Sequence, residues 1–573
     1  AHERSDLPAD PAVRFGTLPN GLKYAIKANR TPPAEASIRL RINAGSLHET
    51  ERQLGLAHFL EHMAFNGSKA VPEGEMIRIL ERAGLAFGPD TNAYTALTET
   101  VYMLDLPETD AKTLDTGLFL MRELAGNLLL EPGAIDRERG IILSEERARD
   151  TPAFRTYRAR LEFFLQGQLP PRRMPIGSTE IIKSAGRSEF VDFYQRHYRP
   201  DQATLIVVGD VDPQRIEADI RARFGDWRPA GGEPTRPALG AIAPRRPGET
   251  RVVVEPGGGL TLQLAWILPP DLARDTRAER LADTPEAIGF AVLNRRFERL
   301  ARAASPPFIA AGANRGTEYD SADVTAVSVS AQPGRWREAL TAAEQEARRL
   351  VQHGVLQAEV DREVAEYRAA LTARAAGAAT RRSAQIASAL VNAVDEDEVF
   401  TAPAEDLRVF EAAVRGLTAE RVTAAVRRAF AGQGPLVFLA TPQAIEGGET
   451  AVAAAFAASA QAPVTPPVAE VVKPWPYASW GAPGRVAEQR RVEDLDVTFV
   501  RFANGVRLTV KPTRLEDDEV LVSVRVGRGR LDLPRDRESV GWAAPFALAA
   551  GGTTELTDEE LDRILVGRVL GAA

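Results

Sequence analysis

The sequence predicts an α+β fold made of repeated units. Three observations predict it. Strand-like and helix-like stretches alternate along most of the 573 residues,. A Pro- and Gly-rich stretch at 229–248 and an Ala/Pro-rich stretch at 451–483 divide them,. The opening pattern, Leu18-Pro-Asn20-Gly21-Leu-Lys-Tyr-Ala-Ile-Lys27, returns as Phe499-Val-Arg-Phe-Ala-Asn504-Gly505-Val-Arg-Leu-Thr-Val-Lys511,. The expected boundaries are 14–240 for a first unit, 249–445 for a second, 446–490 for a linker and 491–573 for the start of a third. The length itself fits two to four domains.

In chain order, residues 1–13 are polar and contain proline, which predicts a loose arm. Asn20-Gly21 is a two-residue turn signal between two strands. Residues 37–42 alternate as a half-buried strand, and the Gly-containing loop 44–52 follows. A helix is expected over 55–65, a second over 76–82. The segment from Phe87 to Thr95 leads into a strand at 100–104, and 111–128 has an amphipathic helical pattern. Residues 134–149 (AIDRERGIILSEERAR) form another helix. Residues 203–211 read as a buried strand, 216–224 as a helix. In the second unit a strand at 251–254 precedes Gly257-Gly-Gly259. No Lys-Ser/Thr follows these glycines, so they predict a bulge or hinge and not a phosphate loop. Helices near 285–303, 335–353 and 357–375 follow, with strands near 322–331 and 435–441.

The helix at Gly55-Leu-Ala-His58-Phe-Leu-Glu61-His62-Met-Ala-Phe65 carries chemistry. At about 100° per residue, His58, Glu61 and His62 share an arc of roughly 100°, and Leu56, Phe59, Leu60 and Met63 share the opposite one. Histidines four apart can hold one zinc ion through ring nitrogens at about 2.0–2.1 Å. Glu61 is placed to take a proton from a zinc-bound water. With six histidines in the chain, chance gives such an HxxEH pattern roughly 0.5% of the time. Two histidines leave a tetrahedral site with an open position one protein ligand short, a carboxylate or histidine from elsewhere. Glu138 and Glu145, seven apart, lie about 20° apart on one face of the 134–149 helix.

Composition narrows the classes. Apolar content of 44% and charged content of 26% are those of a soluble globular protein,. A net charge of −8 argues against nucleic acid or an anionic membrane as the main partner,. There is no cysteine, so a zinc site must use His and carboxylate,. No apolar run approaches the length of a membrane span. The chain begins Ala1-His2-Glu3; a removed export signal or trimming accounts for that equally.

The third unit echoes the fold without the chemistry. Residues 521–526 echo the strand at 37–42. In residues 541–548, Ala544, Ala547 and Leu548 stand where the first unit has His58, Glu61 and His62. A unit ending at Ala573 is too short to close its sheet, so the expectation is that the polypeptide continues.

HFLEHMAFNGS, ERGIILSEE, NAYT and YRPDQATLIVVGDVD together resemble the pitrilysin family of zinc peptidases, which includes insulysin and the mitochondrial processing peptidase. The likeness is strongest to long four-unit bacterial members, usually periplasmic. It implies pitrilysin-type α+β units, each a mostly antiparallel sheet packed with helices, here half of a clamshell plus a truncated third unit. It implies one zinc per chain on His58, His62 and Glu145, with Glu138 orienting a ligand. Glu146 lies about 80° round from Glu138 and is passed over for Glu145. It implies Glu61 as general base, and Asn92 and Ala93 on an edge strand that pairs with substrate backbone. The expected function is a zinc-dependent endopeptidase cutting peptides or short unfolded polypeptides. Its expected location is the periplasm, with the signal peptide removed. Its partner would be the C-terminal half of the clamshell, in cis or as a separate chain. The alternative is a non-catalytic structural or peptide-binding subunit of the same fold.

Overall fold

The computed structural model describes residues 2–571 apart from 86, 87, 89, 90, 244, 245, 247, 470, 535 and 538. Phe87, Pro89 and Asp90 of the segment read above lie outside the described residues. The chain divides into two compact units, 1–363 with 382–467, and 364–381 with 468–573.

The larger unit begins with β1 (Val13–Thr17), β2 (Lys23–Ala28) and β3 (Ala36–Ile42). Next come α1 (Leu56–Met63), α2 (Glu75–Arg82), β4 (Thr91–Thr95) and β5 (Thr100–Leu106). The helices α3 (Ala111–Gly126), α4 (Pro132–Arg149), α5 (Pro152–Phe164), α6 (Thr179–Ser184) and α7 (Arg187–His197) follow, then β6 (Ala203–Gly209) and α8 (Pro213–Phe224). The sheet order is β1-β2-β6-β3-β5-β4. Only β2 and β6 run parallel; the other pairs are antiparallel. Asn20-Gly21 makes the expected turn, with Gly21 at φ 97°.

Two expectations in this region need correction. The N-terminal arm is not loose. Leu7 is 3% exposed against Val399 and Val409, and the Asp10 N–H donates to the Phe400 carbonyl. Leu7, with Ala9 packed beside it, and polar contacts from Ser5, Asp6 and Asp10 anchor it. Nor is β3 half-buried: all seven of its residues are buried. Ile38, Leu40 and Ile42 join the core under α1, α3 and α7. The other face is covered by a distant helix, which buries Ile386, Ala387, Leu390 and Val391 against Ala25, Val101, Ile206 and Val208. Arg39 and Arg41 on that face are buried but paired, Arg39 with Asp105 at 2.8 Å and Arg41 with Glu99 and Asp395.

The same unit continues with β7 (Thr250–Val254), β8 (Leu260–Leu268), α9 (Arg277–Ala301), β9 (Ala310–Glu318), β10 (Ala322–Ala331) and α10 (Trp336–His353). Then come α11 (Gln357–Ala376), whose residues are divided between the units, and α12 (Ser383–Asp395), the covering helix. Last are α13 (Pro403–Val414), α14 (Ala419–Ala429), β11 (Gln433–Thr441) and α15 (Gly448–Gln461). The sheet order is β7-β11-β8-β10-β9, with only β7 and β11 parallel. α15 occupies the start of the stretch read as a linker. It packs on α10 with Val452 fully buried, so alanine there forms helix,.

The smaller unit holds β12 (Val486–Val492), β13 (Val497–Phe502) and β14 (Arg507–Val510) as an antiparallel sheet. The Asn504-Gly505 turn closes the expected hairpin. Helices α16 (Val540–Ala550) and α17 (Asp558–Ile564) follow. The strand expected at 521–526 is not formed. Leu521, Val522, Val524 and Val526 are 79–86% exposed in irregular backbone. Alternation alone does not make a strand where no neighbour supplies a ladder.

At the end of α7, His197 is 1% exposed, its ring centroid 5.3 Å from that of His48 and 4.6 Å from that of Phe193. Burial, then the neighbouring His48, pushes the His197 pKa down to about 3; burial pushes His48 down to about 4. The unfolded chain takes up these protons near pH 6.5 while the fold refuses them. Their contribution to stability is therefore present above that pH and is lost as pH falls. His197→Gln should remove up to about 1.4 kcal/mol per pH unit of this dependence below pH 6.5. Urea unfolding across that window measures it; parallel curves for parent and variant would refute the assignment.

Candidate active site

α1 starts at Gly55, which adopts φ 96°. A Cβ added to Gly177 would lie 2.2 Å from the Gly55 Cα, so two glycine backbones meet where the helix enters the core,. Gly55 offers no side-chain cap. Glu49 does that job from the preceding loop, accepting from the Gly55 N–H at 2.9 Å and the Ala57 N–H at 2.8 Å. Leu56, Phe59, Leu60 and Met63 are at most 1% exposed. Their burial turns His58, Glu61 and His62 to the opposite side, as the spacing predicts.

α4 crosses α1 and brings the carboxylates. His62 Nε2 lies 3.3 Å from Glu145 Oε2, and His58 Nε2 lies 3.6 Å from the same oxygen. His62 Nδ1 is 2.9 Å from Glu138 Oε1. The other oxygen of Glu138 accepts from Asn66 Nδ2, which also donates to the His62 carbonyl. In the neutral ring, donation from Nδ1 to Glu138 makes Nε2, the nitrogen that faces Glu145, the one available to a metal,. Glu146 points elsewhere: its carboxylate accepts from Thr179 on α6 at 3.1 Å.

Glu61 is 9% exposed, and its Oε2 accepts from the Thr95 hydroxyl at 2.7 Å. β4, which carries Thr95, lies at the end of the sheet and, among the described residues, pairs only with β5. Asn92 and Ala93 lie on this edge strand, and the Asn92 Oδ1 accepts from the Ala93 N–H at 2.8 Å.

The electrostatics differ at each group. Burial, then the neighbouring His62, holds the His58 pKa down at about 3, so its ring is neutral. Burial opposes charge on His62, but the Glu138 contact and three nearby carboxylates outweigh it and raise its pKa. The His62 contact holds Glu138 below the usual carboxylate range. Burial raises Glu61, against the Thr95 hydrogen bond and His62.

The donor set fits a zinc ion. Among the described residues, His58, His62 and Glu145 form the one group of three whose ligand atoms lie within 4.8 Å of one another. Two ligands at zinc distance and the tetrahedral angle lie about 3.3 Å apart; the contacts to Glu145 are 3.3 and 3.6 Å. Two imidazoles and a carboxylate suit zinc without any thiolate. Three residues here escaped the sequence reading. Asn66 and Thr95 lay inside quoted segments without a role, and Glu49 lay in the loop before α1. A carboxylate six residues ahead of an uncapped glycine was the available signal.

Residues 24–159 match the family described as Insulinase (Peptidase family M16), and residues 184–367 match the Peptidase M16 inactive domain. The chain is 40% identical over 225 residues to the probable zinc protease PqqL of Haemophilus influenzae, covering 39% of this chain and 24% of that protein. It is 39% identical over 215 residues to the Escherichia coli protein of that name, covering 38% of this chain and 23% of that one. The matches thus span about a quarter of these relatives' length. The solved first half of the periplasmic protease PqqL from Escherichia coli superposes with TM-score 0.72 at 25% identity, over 81% of this chain and 99% of that one. The structure of the periplasmic protease PqqL from the same organism gives 0.74 at 23% identity, over 98% of this chain and 62% of that one, a likeness of fold. The two matches fall one after the other along the chain, which carries domains of the insulinase (M16) family of peptidases.

Proposed function

We propose that this chain is the zinc-bearing part of an endopeptidase that hydrolyses peptides or short unfolded polypeptides. The observation that supports it is the convergence of two imidazole nitrogens and the Glu145 carboxylate beside a buried Glu61 that accepts from Thr95. His58, His62 and Glu145 would hold one zinc per chain. When bound, zinc supplies Lewis acidity toward water and the scissile carbonyl. Glu138 fixes the tautomer and ring orientation of His62. Glu61 takes a proton from the attacking water as the new C–O bond forms. It returns that proton to the amine as the C–N bond breaks. Asn92 and Ala93 on the open edge of β4 take the substrate backbone as an added strand. The reading extends to a C-terminal half of the clamshell, in cis or as a separate chain, and to the periplasm. The likeness to PqqL and to its separately solved first half supports both.

The metal assignment is tested by chelation. Glu145→Gln should lose zinc at a chelator concentration that the parent survives. Glu138→Gln should weaken zinc about 10- to 100-fold, and Glu146→Gln should leave it unchanged. Metal content after dialysis reads all three; loss in Glu146→Gln with retention in Glu145→Gln would reverse the ligand assignment.

The base is tested by Glu61→Gln, which keeps size and hydrogen bonding but cannot accept a proton. Zinc should stay near one per chain while turnover of a quenched peptide falls by about 10²–10⁴. The assay is run on the chain by itself and with a separately produced C-terminal half. Undiminished turnover in a clean preparation of the variant would remove Glu61 from the mechanism. Peptide binding without cleavage by the parent in both arms would favour a binding subunit.

A further inference from the structure

We propose that Thr95 is a positioning residue: its hydroxyl holds the Glu61 carboxylate and ties it to the strand that receives substrate. The proposal rests on the reading of Glu61 as base. Thr95 is the last residue of β4 and donates to Glu61 Oε2 at 2.7 Å. Among the described residues, Glu61 Oε1 has no hydrogen bond. One oxygen is therefore anchored and the other is free to take a proton. Burial of the side chain does not achieve this, because the terminal torsion of a glutamate is broad and needs a directional contact to fix it.

β4 is held from both faces at this point. Successive side chains of a strand point to opposite faces, so Tyr94 faces away from Thr95. The Tyr94 hydroxyl donates to Glu99 Oε1 at 2.7 Å. Glu99 is bound by Arg41, and Arg41 by Asp395 at the end of α12. Thr98 reaches Asp395 as well, at 3.3 Å. Arg41 and Glu99 are each 5% exposed, so this anchor is screened from solvent. An edge strand with a ladder on one side is thus pinned by Tyr94 to a buried ion pair and by Thr95 to Glu61. Asn92 and Ala93 immediately precede the pins. Chain pairing with their edge cannot shift β4 without moving the Thr95 hydroxyl, and so the base.

The test compares Thr95→Val, which keeps the shape and removes the hydroxyl, with Thr95→Ser, which keeps the hydroxyl. The zinc-loaded chain is assayed against a quenched peptide, with the C-terminal half supplied in every arm. A hydrogen bond to a charged group of this kind is worth roughly a 10- to 100-fold fall in kcat when removed. Thr95→Val should show that fall with KM within about twofold and unchanged zinc content; Thr95→Ser should recover most of it. A Thr95→Val enzyme with parental kcat would overturn the proposal. So would a Thr95→Ser enzyme as impaired as Thr95→Val, or a rise in KM with kcat retained, which marks a substrate contact. Crystal structures of both zinc-loaded variants decide the point without turnover. A Glu61 carboxylate displaced in Thr95→Val and restored in Thr95→Ser supports it; an unmoved carboxylate in both refutes it. A parent without turnover would defeat the peptidase reading and leave these structures to decide the role of Thr95.

Discussion

The site depends on one constraint: an eight-residue helix has to bury one side completely and present two imidazoles and a carboxylate from the other. Fully burying a side chain such as Leu56, Phe59, Leu60 or Met63 stabilises by about 1.5–3 kcal/mol. That seals α1 in place, but it also draws His58 and Glu61 out of water. A buried polar group is tolerated only when it is hydrogen-bonded. The neighbouring elements meet that demand for Glu61 and His62, while among the described residues the buried Nδ1 of His58 has no hydrogen-bond partner. The loop before α1 contributes Glu49, β4 contributes Thr95, and α4 contributes Glu138 and Glu145. The arrangement of loop, strand and helix around α1 follows from the needs of its polar face.

Local pattern made this face legible. Spacing put His58, Glu61 and His62 on one arc, and the seven-residue interval put Glu138 and Glu145 on one side of α4. Sequence could not say which neighbour each carboxylate would meet. Glu145 and Glu146 differ by one residue, yet Glu145 faces the two histidines while Glu146 accepts from Thr179 on another helix. The strand at 37–42 was recognised, yet its arginine face was taken for a solvated one. α12, some 340 residues later, covers it, and Asp395 on that helix pairs with Arg41. Burial decided by so remote a segment leaves no trace in a short window. The strand expected at 521–526 failed the other way: its alternation is clear, but among the described residues no ladder partner stands beside it.

The repeated sequence of the third unit separates fold from chemistry. Its hairpin forms as the first one does, through an Asn-Gly turn. α16 stands where α1 stands in the order of elements, but Ala544, Ala547 and Leu548 offer no ligand and no base. On α16, Trp542, Phe546 and Leu548 are 63, 72 and 83% exposed, whereas α1 keeps its apolar side at or below 1%. The sequence signal that survives duplication is the one that shapes backbone, turn and alternation. The signal for chemistry is a handful of side chains that can be exchanged without losing the helix.

Glu61 on α1 and three glutamates packed around the helix have different hydrogen-bond partners, which give them different capacities. Both oxygens of Glu49 are taken by backbone N–H groups, so although burial pushes its carboxyl up to about 8, it has no open position from which to act on a substrate. Both oxygens of Glu138 are taken by His62 and Asn66, which hold it ionised. Glu145 faces both histidine Nε2 atoms through one oxygen and Arg149 through the other. Glu61 alone of the four combines a raised pKa, from burial, with one oxygen anchored and one open. A general base works best when its pKa is brought toward the operating pH and it can both take and return a proton. Identical side chains thus come to differ in what they can do, and the proposed duties of orienter, ligand and base follow the number and kind of donors around each.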